Sequence, residues 1–102
     1  MRQAVKTYIG LVSKEADSAY GIVFPDAPGC FSAADDLDSI FAMASEALAG
    51  WTSTMMEDGY PIPPRRDLSA LRADPDLADT WQDTILVIAV PLPETQKDAR
   101  AA

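Results

Sequence analysis

Three aspartates lie within four positions of one another, and such a cluster of carboxylates could hold a divalent metal ion. They are Asp35, Asp36 and Asp38. A magnesium site needs carboxylates that converge from separate elements, and the first predicted strand, Val5 to Val12, contains none. Asp36 suits a helix N-cap, where its side chain accepts hydrogen bonds from free N–H groups. We therefore predict no metal and no cofactor. A divalent-metal-dependent enzyme is the least favoured of the three functional hypotheses that the sequence leaves open.

Cys30, Ser32 and Ser39 are the side chains that could act as nucleophiles near this cluster. A serine nucleophile needs a base, which is usually histidine, and the chain has no histidine. A reactive thiol needs a base or a cation beside it, and the neighbouring sequence supplies neither. We therefore predict that the protein is not an enzyme, and that Cys30 is a small buried apolar residue.

The acidic side chains could form a solvated surface that aids solubility, or they could bind a basic protein. The net charge is −8, and the stretch from Glu15 to Pro64 carries nine acids and no base. Such a surface repels nucleic acid and attracts a basic partner. Acids in the last turn of a helix oppose its dipole unless a partner compensates them. The predicted partner-binding residues are Asp26, Asp35, Glu57 and Asp58.

The first third of the sequence predicts three strands. Side chains alternate from Val5 to Val12, which is typical of a half-buried strand. Tyr20 to Phe24 is the second strand and forms a hairpin with the first. The segment from Pro25 to Gly29 predicts a turn, and Cys30 to Ala34 is a short third strand.

A long amphipathic helix follows, capped by Asp36 and ended by Gly59. Apolar side chains recur at steps of four and three and predict one buried stripe, consisting of Leu37, Phe41, Ala44, Leu48, Trp51 and Met55. Roughly 21 residues make a helix about 30 Å long, which is long enough to cover a small sheet.

The rest of the chain predicts a connector, short helices and a last strand. Tyr60 to Pro64 is an extended connector, and short helical turns follow from Leu68 to Arg72 and from Leu77 to Trp81. The unbroken apolar run from Thr84 to Val90 fits a strand that is buried on both faces or paired across an interface.

The element order β-β-β-α-(α)-β predicts an α+β domain over residues 1–93, with a flexible tail at 94–102. One sheet of about four strands with one long helix leaves the other sheet face uncovered. We therefore expect a homodimer or a higher homo-oligomer, with an interface made by Ile85, Val87, Ile88 and Val90. With one cysteine and no apolar run of membrane-spanning length, we expect a cytoplasmic protein that contacts no membrane.

The segment from Tyr20 to Leu48 resembles the HicB antitoxin family. The matching residues are Pro25, Asp26, Pro28, Gly29, Cys30, Asp35, Leu37, Ala42, Glu46, Ala47 and Leu48, and they are followed by Gly59, Ile62 and Pro63. The sequence departs from the family pattern at Ala27, Ala34 and Asp36, where leucine, glycine and threonine are usual. Many members append a DNA-binding motif, and the twelve residues after Val90 fit none.

The resemblance implies a partial RNase H-like fold, in which a mixed sheet has its fourth strand parallel to the first. It also implies a role as the antitoxin of a type II toxin–antitoxin system, which neutralises a HicA-type mRNA interferase by direct protein binding. This chain is not expected to bind nucleic acid directly. The alternative hypothesis is a solitary homo-oligomeric interaction or structural protein without a toxin partner.

Overall fold

The computed structural model describes residues 6–93 of the 102-residue chain. The predicted tail at 94–102 and Val5 of the first predicted strand lie outside the described residues. The strands are β1 (Thr7–Lys14), β2 (Tyr20–Val23), β3 (Phe31–Ala34) and β4 (Thr84–Pro91), and the helices are α1 (Ile40–Glu57), α2 (Leu68–Ala73) and α3 (Ala78–Asp83). Short 3₁₀ turns at Leu37–Ser39 and Pro75–Leu77 precede α1 and α3.

The four strands form one sheet in the order β3-β2-β1-β4, and every neighbouring pair is antiparallel. The predicted α+β class, strand number and long helix are confirmed. The predicted parallel orientation of the fourth strand, and with it the mixed sheet, is wrong. The chain does not return to the sheet directly from α1. It first passes through α2 and α3, and it then enters beside β1 from the opposite end.

The main core lies between α1 and one face of the sheet. Tyr8 and Val12 of β1, Ile22 of β2 and Ala44 and Leu48 of α1 are all buried there. Burial of such side chains contributes roughly 1.5–3 kcal/mol each for a full-sized aliphatic residue. This core fixes α1 across the sheet.

A second, smaller core covers the opposite face of β1. Ile9 and Leu11 contact the fully buried Leu71 of α2, and Leu77 and Trp81 pack around them. The Trp81 indole N–H donates a hydrogen bond to the carbonyl oxygen of Leu71 at 3.0 Å. The prediction that the second sheet face is uncovered is therefore wrong over β1, because α2 and α3 lie on it.

The first strand was predicted to be half-buried, and the last strand to be buried on both faces or paired across an interface; the structure contradicts the first prediction and the first alternative for the last strand. The central strand β1 is buried on both faces, because Tyr8 and Val12 face α1 while Ile9 and Leu11 face α2. The strand β4 is at the edge of the sheet, and much of it is exposed. An unbroken apolar run therefore forms the edge here.

The predicted end of the long helix at Gly59 is confirmed, whereas Asp36 caps the 3₁₀ turn that precedes α1 and not α1 itself. The Asp36 carboxylate accepts a hydrogen bond from the Ser39 N–H at 2.9 Å. Gly59 has a φ of 77°, and the next residue, Tyr60, donates its N–H to the Met55 carbonyl at 2.9 Å. This bond is typical of a Schellman motif, which requires a left-handed residue at the position of Gly59.

Candidate functional site

The turn between β2 and β3 is held rigidly against the end of α1. The Ala27 N–H donates to the Phe24 carbonyl at 3.0 Å, and the Cys30 N–H donates to the Ala27 carbonyl at 2.9 Å. The indole N–H of Trp51 donates to the Pro28 carbonyl at 2.9 Å. Two tight bends and one indole hydrogen bond therefore connect this turn to α1.

Asp26 in this turn binds Arg66, which lies forty residues later in the chain. Its Oδ1 accepts from the Arg66 Nε at 2.8 Å, and its Oδ2 accepts from the Arg66 backbone N–H at 2.7 Å. The Nη1 of Arg66 donates to Asp74 Oδ2 at 2.9 Å. Charge-assisted hydrogen bonds of this kind are stronger than neutral ones. Together they fix the segment after α1 to the turn.

The charges of this cluster shift the pKa values of its members. The pKa of Asp74 is lowered by the hydrogen bond from the Arg66 side chain and by a further bond from the Asp76 N–H. The pKa of Arg66 is raised by its hydrogen bonds to Asp74 and Asp26. Both groups are therefore held in their charged forms at neutral pH.

Tyr8 links the same cluster to the core. Its hydroxyl donates to the carbonyl oxygen of Pro63, and its ring lies 6.3 Å from that of Trp51. Burial raises the pKa of Tyr8, and the charge of Asp26 raises it further. The hydroxyl therefore stays protonated and keeps donating to the connector after α1.

The predicted partner-binding acids do not form one patch. Both Asp26 oxygens accept hydrogen bonds from Arg66 and its carboxylate is only 9% exposed, so Asp26 stabilises the fold and offers little to a partner. Asp35 is exposed before α1, while Glu57 and Asp58 are exposed at its other end. The 18 residues of α1 separate the two ends by about 27 Å.

The entry to α1 carries exposed apolar side chains that the predicted stripe would bury. Leu37 is 60% exposed and Phe41 is 51% exposed. The buried residues of α1 are Ile40, Ala44, Leu48 and Thr52, so the prediction is confirmed for Ala44 and Leu48. The 3₁₀ turn before α1 changes the angular step between residues, so Leu37 falls outside the phase of the helix. Phe41 lies inside α1, one position after Ile40, and is therefore turned away from the buried stripe.

We call the set of Asp35, Asp36, Leu37, Asp38 and Phe41 the helix-entry surface. All five residues are exposed, and they lie within seven positions of one another. Three carboxylates around two apolar side chains make a surface on which a basic protein can bury apolar area while its charges are matched. The acids of this surface are evident in the sequence, whereas the prediction that Leu37 and Phe41 are buried is wrong.

The side chains considered as metal ligands or nucleophiles can be located in the described part of the chain. Over residues 6–93, no three acidic or cysteine side chains come together as a metal site. Burial raises the pKa of the Cys30 thiol, which disfavours the thiolate, and the Ser32 hydroxyl donates to the Met43 carbonyl at 2.9 Å. Within the same range, no helix is long and apolar enough to cross a membrane.

The four predicted interface residues of β4 separate into two groups. Ile85 is 61% exposed and Val87 is 38% exposed. Ile88 is half-buried against the main core, and Val90 is fully buried within it. The assignment of Val90 to a dimer interface is therefore wrong, because its side chain contacts the same core as Tyr8.

Comparison with known proteins identifies the family. Residues 8–100 match the HicB-like antitoxins of bacterial toxin–antitoxin systems. The chain belongs to the HicB-like antitoxin family. This match extends over both cores, the turn that contains Asp26 and the whole of β4.

Solved structures of HicB-like proteins share this fold. A chain of the HicA3–HicB3 toxin–antitoxin complex is 27% identical, with a TM-score of 0.67 over 86% of this chain and 99% of that one. The N-terminal domain of the Burkholderia pseudomallei antitoxin HicB is 25% identical, with a TM-score of 0.67 and the same coverage. The antitoxin HicB3 is 26% identical, with a TM-score of 0.61 over 89% of this chain and 63% of that one.

A relative of this HicB-like chain occurs in a bacteriophage. An uncharacterised 14.9 kDa protein of Haemophilus phage HP1 is 30% identical over 66 residues, which are 65% of this chain. The match spans about half the length of the phage protein, because it covers 50% of it.

Proposed function

We propose that this HicB-like chain is an antitoxin that binds a HicA-type toxin directly and neutralises it by covering the toxin's surface. The observation that carries the proposal is the likeness to a chain of the HicA3–HicB3 complex, at 27% identity over 99% of that chain. A family of antitoxins also fits a protein that works by binding and not by catalysis. The predicted absence of direct nucleic-acid binding and the predicted cytoplasmic location stay predictions.

The charge distribution supports a basic partner. The chain has a net charge of −8, so a basic toxin is attracted before contact, and salt should slow its association. The helix-entry surface adds what charge alone does not supply, because its Leu37 and Phe41 present exposed apolar area. We therefore place the toxin on the helix-entry surface, with Glu57 and Asp58 as the competing location at the other end of α1.

The first experiment tests binding itself. The purified chain is mixed with the product of the adjacent reading frame, and complex formation and RNA cleavage are measured at low and high salt. We expect a stoichiometric complex, suppression of cleavage and slower association at high salt. Failure to form any complex at low salt would exclude the antitoxin function and leave the solitary homo-oligomer as the better hypothesis.

The second experiment locates the surface by removing two charges at a time. Asp35→Asn with Asp38→Asn should reduce the association rate several-fold, whereas Asp36 is left intact because it caps the 3₁₀ turn before α1. The matched control is Glu15→Gln with Asp17→Asn, which removes the same charge from an exposed connection and should change the rate much less. Equal slowing by both pairs would mean that only net charge matters.

Two further variants separate the ends of α1. Phe41→Ala removes an exposed aromatic anchor and should weaken the complex by roughly 1–2 kcal/mol. Met56→Ala, at a residue 44% exposed near the other end of α1, is its control. The pair Glu57→Gln with Asp58→Asn tests the competing location. A larger loss with that pair or with Met56→Ala would move the toxin to the far end of the helix.

A further inference from the structure

The strand β3 forms one edge of the sheet and leads directly into the helix-entry surface. Among the described strands it pairs with β2 alone. Ala34 ends β3, and Asp35 of the helix-entry surface is the next residue. An edge strand presents backbone N–H and C=O groups with which another strand can pair. A strand added at β3 would therefore lie next to the surface on which we place the toxin.

The backbone of β3 has hydrogen-bonding groups that point away from the sheet. In an antiparallel ladder, alternate residues exchange both bonds with the partner strand, and the residues between them turn their N–H and C=O groups outward. Two of the four residues of Phe31–Ala34 therefore point away from β2. Within residues 6–93, no backbone hydrogen bond from outside the sheet reaches these four residues. The outward groups are consequently available to a partner.

Exposed apolar side chains flank this edge on both faces of the sheet. Ala34 is buried in the main core below α1, and the Ser32 hydroxyl donates to the Met43 carbonyl at 2.9 Å. Side chains alternate along a strand, so Phe31, which is 68% exposed, lies on the face opposite α1. The bond from Ser32 places Met43, which is 37% exposed, beside the edge on the helix side. A strand paired with β3 would direct alternate side chains towards Phe31 and Met43.

Carboxylates beside the edge determine which kind of strand it attracts. Asp35 follows β3 directly and is exposed. Glu46 is also exposed, and it lies on the same side of α1 as Met43 because residues three positions apart are neighbours on a helix. An acidic strand would place like charges together here, which is destabilising. A strand with lysine or arginine side chains is attracted instead, as expected for a segment of a basic toxin.

We propose that the toxin binds by adding one of its own strands to β3, so that the sheet continues from this chain into its partner. Backbone hydrogen bonds hold the added strand, while Phe31 and Met43 contact its apolar side chains and Asp35 and Glu46 contact its basic ones. A four-residue strand alone buries too little area for a stable complex, so the helix-entry surface contributes to the same interface. The inference rests on the proposed antitoxin function and adds a binding mode to it.

Amide hydrogen exchange tests the added strand directly. Exchange is followed residue by residue in the isotope-labelled chain, alone and in complex with the product of the adjacent reading frame. The two outward amides of Phe31–Ala34 should exchange about tenfold more slowly, or slower still, in the complex, because they become hydrogen-bonded. The two amides that already bond to β2 should change less. The experiment uses the wild-type chain, so it remains decisive if a variant fails to fold.

Two matched pairs of variants test the side chains. Phe31→Ala should raise the Kd of the complex about tenfold, as expected for an aromatic anchor. Tyr60→Ala, at an aromatic residue that is 60% exposed after α1, should have little effect. Met43→Lys should also weaken the complex, because it places a cation against a basic strand. Met56→Lys, at a methionine that is 44% exposed near the other end of α1, should not.

The outcomes separate the binding mode from the antitoxin function. A complex without slower exchange at β3, or equal effects of Phe31→Ala and Tyr60→Ala, would refute strand addition and leave the antitoxin function standing. Protection of the outward amides of β4 upon toxin binding, with none at β3, would also refute it. Protection of β3 in the chain alone, increasing with concentration, would assign the edge to a second copy and overturn the proposal. Failure to form any complex would refute both the binding mode and the antitoxin function.

Discussion

Leu71 allows a direct test of the second core, which the sequence did not predict. Its side chain is fully buried between α2, to which it belongs, and the central strand β1, where it contacts Ile9 and Leu11. We predict that Leu71→Ala strongly destabilises the fold. The control is Leu68→Ala in the same short helix. Leu68 is 44% exposed, so this substitution makes the same chemical change at a surface position.

The expected magnitude follows from burial and from the void that the substitution leaves. Removing three carbons costs about 2.4 kcal/mol in transfer free energy, at roughly 0.8 kcal/mol for each. A cavity adds to this, and buried Leu→Ala changes cost about 2–5 kcal/mol in total. The half-buried Leu77 and Trp81 can relax into part of the void, so we expect about 2.5–3.5 kcal/mol. Leu68→Ala should cost less than about 1 kcal/mol.

Urea unfolding measures both variants, with tryptophan fluorescence and circular dichroism as parallel probes. Trp81 donates to the Leu71 carbonyl, so its emission reports the contact directly. With a urea slope of about 1–3 kcal/mol/M, the Leu71→Ala midpoint should fall by about 1–3 M. A midpoint equal to that of Leu68→Ala would refute the reasoning, since α2 would then contribute nothing to the cooperative core.

Two further predictions concern a pair of glycines and one carboxylate. Gly59→Ala should destabilise the protein by about 1 kcal/mol, because φ is 77° at this residue. Gly50 lies inside α1 with open space for a Cβ, so Gly50→Ala should stabilise the protein by about 0.5–1 kcal/mol. Thermal unfolding compares the two variants, and equal shifts in midpoint would contradict the left-handed cap. Asp74→Asn should lower stability at neutral pH. The folded-state pKa of Asp74 lies below its ordinary value of 3.8, so the stabilising pair with Arg66 is present above pH 3.8 and is lost as pH falls through the folded-state pKa. Urea midpoints should therefore differ between wild type and variant at pH 7 and converge in acid, and a constant difference would show that ionisation is not the cause.

The features that the sequence predicted correctly depend on local chemistry. Asp36 was assigned as a cap and accepts the Ser39 N–H, and Gly59 was assigned as the residue that ends α1. Both roles involve neighbours within a few positions, so they can be inferred from a short segment. The order of elements and the class of the fold follow from the same local signals.

The predictions that were wrong concern features that depend on how distant segments of the chain are placed in the fold. Periodicity does not indicate which strand is central. The apolar run of β4 suggests burial on both faces, but the strand that the structure buries on both faces is β1. The pairing of Asp26 with Arg66 joins residues forty positions apart, and nothing near Asp26 indicates that its charge is already used. The exposure of Leu37 depends on the 3₁₀ turn before α1, which changes the helical phase.

The position of β1 between β2 and β4 also affects how the chain is made. Val12 pairs with Leu86, which is synthesised 74 residues later. At roughly 5–20 residues per second, β1 waits about 4–15 s for the strand that completes it. During that time the growing chain has β2 on one side of β1 and an unpaired apolar edge on the other. Translation speed after α1 therefore sets how long each new molecule is exposed to aggregation or to proteases.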